Sequence, residues 1–95
     1  MSNTIKEEIK FKTGMLGMAK QAENSLMEST NMLNDILNKA YDWTVRFGSD
    51  DEEMCTVIGI LSVKRFQEET AFRKKSIDVE ERVKELNILT GETNE

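Results

Sequence analysis

Phe47-Gly48-Ser49-Asp50-Asp51-Glu52-Glu53 lies at the middle of the 95-residue chain and decides how it is read. Ser49 followed three residues on by Glu52 is a capping box, the reciprocal hydrogen-bonding pair that opens a helix. Four successive acids, Asp50 to Glu53, put negative charge where a helix dipole is positive. Gly48 suits the left-handed position that closes a preceding helix. The stretch therefore predicts one helix ending near Phe47 and another starting at Ser49. A link this short favours an antiparallel pair.

The segment before the corner carries a seam. Met15, Met18, Ala22, Leu26, Ser29, Leu33, Ile36, Ala40 and Trp43 follow one another by three or four residues, a mean of about 3.5, the coiled-coil period. Upstream, Thr4-Ile5-Lys6-Glu7 forms another capping box, with Ile5 and Ile9 one turn apart. Thr13-Gly14 either breaks this arm into a short N-terminal helix and a long one, or is crossed by a single helix from about Ile5 to Arg46. The first arm is expected over residues 4–47.

The segment after the corner opens with an apolar block: Met54, Cys55, Val57, Ile58, Ile60, Leu61, Val63 and Phe66. These cover almost the whole circumference of a helix, which predicts burial on several sides. The pattern then thins to Ala71, Phe72, Ile77, Val79, Val83, Leu86 and Leu89. Asp78-x-x-Glu81 offers a start for a separate third helix, and Gly91 a stop. The second arm is expected over residues 49–90, with 91–95 a flexible tail. No proline interrupts the chain, and no clean alternation or hairpin dipeptide signals strands.

The expected fold is all-α: a single helical domain over residues 1–95, built as a long antiparallel helical hairpin and assembling into an oligomeric helical bundle. Two arms of about 40 residues would each be roughly 60 Å long. They share only one seam, which leaves much of the apolar block in water at about 25 cal/mol per Å². Self-association as a dimer or higher oligomer, with Met54 to Phe66 in its interface, relieves that cost.

Composition excludes much chemistry. There is no histidine and one cysteine, with a formal net charge of −5. Ser-His and Cys-His catalysis and mixed Cys/His zinc sites are ruled out, and one cysteine makes no internal disulfide. No enzyme activity, cofactor or metal is expected. The first 48 residues hold six bases and six acids, so the whole imbalance lies in the second half. An acidic chain is poorly suited to duplex DNA, which is held largely by counterion release. The longest near-apolar run, Thr56 to Val63, falls far short of the roughly 20 residues that span a bilayer. The N-terminus lacks the apolar stretch of a signal peptide. The expectation is a cytoplasmic protein of a bacterium or an infected host cell.

Two groups of residues stand out as candidate sites. Met15, Met18, Trp43, Phe47, Met54, Ile58, Leu61 and Phe66 form the candidate partner or oligomer interface, since methionine and aromatic side chains anchor adaptable contacts; ordinary core filling is the plainer reading. Lys64, Arg65, Arg73, Lys74 and Lys75 are the one basic concentration, a candidate site for an anionic nucleotide. A solvated helix face paired with Glu68 and Glu69 is its plainer reading. Asp50 to Glu53 lack the alternating spacing of a calcium loop. Cys55 reads as a small reduced core residue.

Two resemblances follow. Acidity, small size, two helices and Trp43 near the middle resemble the secreted helical hairpins of the W-x-G family, although Trp43 is followed by Thr44 and Val45 and the glycine comes at Gly48. Leu61 to Phe66, Gln67, Glu68 and Ile77 resemble the apolar and acidic positions in the last helix of small phage-encoded helical hairpins that sequester cyclic oligonucleotides. The first resemblance implies a secreted hairpin, the second an oligomeric nucleotide sponge. From the residues themselves, the expected function is a non-enzymatic interaction module. It would be an adaptor, inhibitor or small chaperone of a phage or bacterial accessory kind, acting on itself and on another protein. The alternative is an oligomeric binder of an anionic small ligand through the basic residues.

Overall fold

The computed structural model describes residues 3–94. It contains two helices, α1 (Asn3–Phe47) and α2 (Glu52–Asn94), packed on each other as a helical hairpin and joined by residues 48–51. No strand occurs among the described residues. The expected all-α hairpin is the observed one.

The corner is built differently from the sequence expectation. The Gly48 N–H donates to the Thr44 carbonyl at 3.1 Å, which carries the α1 ladder one step past Phe47. The Asp51 N–H then donates to the Gly48 carbonyl at 3.2 Å, and the Cys55 N–H to the Asp51 carbonyl at 3.0 Å, the first bond of α2. The Asp51 carboxylate accepts the Met54 N–H at 2.8 Å. Asp51, not Ser49, is therefore the N-cap. Aspartate caps as well as serine, and the shift leaves Glu52 and Glu53 in the first turn, where the dipole favours them. Gly48 has no positive φ, so the corner does not use the left-handed geometry assigned to it. Asp51→Ala is expected to lower stability by about 1 kcal/mol, and Ser49→Ala by no more than a few tenths, in urea titrations followed by circular dichroism.

Neither helix breaks. The Thr13 hydroxyl donates to the Ile9 carbonyl at 2.7 Å inside a continuous α1, so no separate N-terminal helix forms. α2 runs through Asp78 without starting a third helix, and through Gly91 to Asn94, where a tail was expected. The Thr90 hydroxyl donates back to the Leu86 carbonyl at 3.0 Å. Glycine inside a helix costs about 1 kcal/mol but leaves the hydrogen-bond ladder intact, and no proline follows to end it. Glu95, the last residue of the expected tail, lies outside the described residues.

Contacts divide the chain into two compact units, Met1–Asn24 with Arg73–Glu95, and Ser25–Phe72. In the first unit the shielded positions of α1 are Ile5, Ile9, Lys12, Met15, Leu16, Ala19, Ala22 and Glu23, and those of α2 include Val79, Arg82, Leu86 and Leu89. Ala19 and Val79 are buried, and Lys12 reaches across to Glu85. In the second unit the shielded positions are Leu26, Ser29, Thr30, Leu33, Asn34, Leu37, Ala40, Trp43 and Thr44 on α1, and they include Met54, Ile58, Leu61 and Phe72 on α2. Leu37, at 2% exposure, is the largest fully buried side chain among the described residues. Arg65 Nη1 donates to Asn34 Oδ1 at 3.3 Å in the same unit.

The most buried positions of α1, Ala19, Leu37 and Thr44, each lie one residue beyond Met18, Ile36 and Trp43 of the seam read from sequence. Met15, Ala22, Leu26, Ser29, Leu33, Ala40 and Trp43 of that seam are shielded, in steps of three, four and seven. Met18, at 65%, and Ile36 are exposed. The physical reason lies in the threonines. The Thr30 hydroxyl donates to the Leu26 carbonyl at 2.8 Å, and that of Thr44 to the Tyr41 carbonyl at 2.7 Å. A hydroxyl satisfied by its own helix presents its methyl to the neighbour and occupies an apolar seam without an orphaned polar group. Read as polar residues, these threonines are left out of the seam.

The apolar block of α2 is likewise not buried all round. Met54, Ile58 and Leu61 are shielded, while Cys55, Val57, Ile60, Val63 and Phe66 are exposed. Cys55 is thus a surface thiol rather than a core residue.

Candidate functional site

Each unit carries exposed apolar surface on the face of α1 next to its seam. In the first unit, a shallow groove is lined by Glu7, Lys10, Phe11, Gly14, Met15 and Met18. Phe11 and Met18 are exposed and Met15 is half-buried. In the second unit, a groove is lined by Ser25, Glu28, Ser29, Met32, Leu33 and Ile36, with Lys64 of α2 at its border. A further apolar groove in that unit runs along α2 past Thr56, Gly59, Ile60, Val63, Lys64 and Gln67. Lys64 borders both.

The spacing on α1 explains these grooves. Phe11, Met15, Met18 and Ala22 step by 4, 3 and 4, and so do Ser25, Ser29, Met32 and Ile36. In each unit this is a second coiled-coil stripe, one position before the stripe that faces α2. Phe11, Met18, Met32 and Ile36 of this stripe are exposed while Met15, Ala22 and Ser29 are half-buried, and exposed apolar side chains in such a row have the make-up of an association surface.

The candidate interface residues separate accordingly. Met54, Ile58 and Leu61 lie on the shielded side of α2 and are half-buried. Met18, Phe47 and Phe66 are exposed, and Met15 and Trp43 half-buried. The Trp43 and Phe47 rings lie 6.0 Å apart at a 51° tilt, packing on each other beside the corner. Phe11, Met32, Ile60 and Val63 belong to exposed apolar surface that the candidate set omits. The alternating 4-3-4 steps through Phe11 and Met32 are the signal that finds two of them.

The candidate basic residues fall in both units. Lys64 and Arg65 belong to the second unit, Arg73, Lys74 and Lys75 to the first. Consecutive helical residues point about 100° apart, so Arg73, Lys74 and Lys75 face three directions. Lys64 pairs with Glu68 at 3.1 Å, and Lys75 with Asp78 at 3.6 Å. Arg65 is engaged by Asn34. Two groups titrate away from their ordinary values. The hydrogen bond from Arg82 Nε, at 3.1 and 3.2 Å, holds the Asp78 carboxyl below the usual carboxylate range, with Lys75 adding to the effect. The hydrogen bond to Glu85 holds the Lys12 ammonium above the ordinary lysine value. Both pairs sit in water, where ion pairs add little to stability.

No group of three or more potential metal ligands comes together among the described residues. No described helix is long and apolar enough to cross a membrane. Comparison with known protein families, with curated proteins and with solved structures finds no match.

Proposed function

We propose that this chain is a non-enzymatic protein-interaction module, a helical hairpin that docks its exposed apolar helix faces on itself and on another protein. The observation that carries this reading is surface area. The chain exposes 7229 Å², whereas a compact monomer of 10.9 kDa exposes about 5,600 Å². The excess of about 1,600 Å² is the scale of a protein–protein interface, and Phe11, Met18, Met32, Ile60 and Phe66 are among the exposed apolar side chains. Side chains of this kind, held on rigid helices, suit an adaptor, inhibitor or small chaperone. Small size and high charge suit an accessory protein of a bacterium or phage, working in the cytoplasm.

The alternative, an anion binder using Lys64, Arg65, Arg73, Lys74 and Lys75, is less well supported, because several of these side chains are already engaged by acids or amides. Native mass spectrometry of the full chain, purified undenatured from its own cell, tests both. The expected result is a complex containing more than one polypeptide. A single 10.9 kDa chain overturns the reading, and a single chain carrying a nucleotide-sized increment favours the alternative.

A further inference from the structure

We infer that the occupant of the second unit's apolar face is a second copy of this chain, docked about a two-fold axis. This rests on the interaction-module reading and names its partner and its face. The face consists of Ser29, Met32 and Ile36 on α1 and Ile60 on α2, with Glu28 and Lys64 beside them. Met32 and Ile60 are largely in water. Ser29, Met32 and Ile36 step by three and four, which presents successive side chains to another helix as knobs into holes. Serine at the first position lets a helix backbone come close.

Two observations specify a second copy. The first is area. A standard interface takes about 800 Å² from each partner, and large homodimers take more. The chain's excess exposure of about 1,600 Å² over a compact monomer is enough for one further chain to cover. The second is charge. Two chains of net charge −5 repel at long range, so a self-docking face has to be locally complementary to itself. The Met32–Ile36 groove is lined by one acid, Glu28, and one base, Lys64, whose ammonium pairs with Glu68 on its own helix and, being exposed, has further donors for a second carboxylate. An isologous interface presents the same surface twice. A two-fold axis passing between these residues brings each copy's Glu28 to the other's Lys64, and the reverse.

Sedimentation equilibrium of the full chain, with circular dichroism as the check on folding, tests the assignment. The wild type is expected to dimerise at micromolar concentration. Ile36→Lys, Glu28→Lys and Lys64→Glu are each expected to weaken the dimer by about tenfold or more, because like charges then meet across it. All three positions are exposed, so helix content is expected to hold. The double variant Glu28→Lys with Lys64→Glu restores the pairs in reverse and is expected to recover most of the lost affinity. A monomeric wild type overturns the proposal, as does a double variant no tighter than the single ones. A dimer that survives Ile36→Lys but is lost in Phe11→Lys also overturns this face, while leaving the interaction-module reading in place.

Discussion

Leu37→Ala is expected to lower the stability of the chain by about 3 kcal/mol, the largest effect of any single truncation considered. Leu37 is the largest fully buried side chain among the described residues. Its removal loses the transfer free energy of the deleted atoms and leaves a cavity that two straight helices fill poorly, within the range of about 2–5 kcal/mol seen for such changes. Small domains hold only about 5–15 kcal/mol in total. Urea titration should show the midpoint falling with little change in slope. Ile36→Ala, one residue away, separates the observed register from the one the bulky side chains suggest. Measured on a dilute monomer, it should cost much less than Leu37→Ala, because Ile36 is in water. Equal costs would contradict the register described above.

Replacing Gly14, Gly17 and Gly59 together by alanine is expected to raise stability by about 2–3 kcal/mol. All three are inside helices, none has a positive φ, and a Cβ built at each meets nothing within 4 Å. Glycine is about 0.5–1 kcal/mol less favourable than alanine in such positions, because the unfolded chain loses more freedom on ordering. Gly59 lies on the other helix and in the other unit from Gly14 and Gly17, so its effect should add to theirs. The melting temperature and the urea midpoint should both rise. A loss of stability at any one site would mean that another chain approaches the backbone there.

The helical hairpin was legible because its signals are local. The acids around Asp51 and the 3.5-residue steps of α1 both survive in the structure, though the cap is Asp51 rather than Ser49. The register was legible only in part, because α1 carries two adjacent stripes of the same period: of the expected seam, Met18 and Ile36 are exposed and the other seven residues are shielded. Choosing between them turns on the hydroxyls of Thr30 and Thr44, which bond within their own helix. Continuity through Thr13-Gly14 and Gly91 was also hidden, since glycine permits a break without requiring one. The exposure of the candidate site residues was legible only in part: Met18, Phe47 and Phe66 are exposed, while Met15, Trp43, Met54, Ile58 and Leu61 are half-buried. An all-round apolar block shows that a helix has surplus surface, but not which side its own hairpin uses.

Sedimentation equilibrium of the purified full chain measures most directly whether this surplus surface is an association surface. The expected mass at micromolar concentration is that of two 10.9 kDa chains, reverting toward one on dilution. A mass of one chain throughout, with helix content intact and no second component, would contradict it.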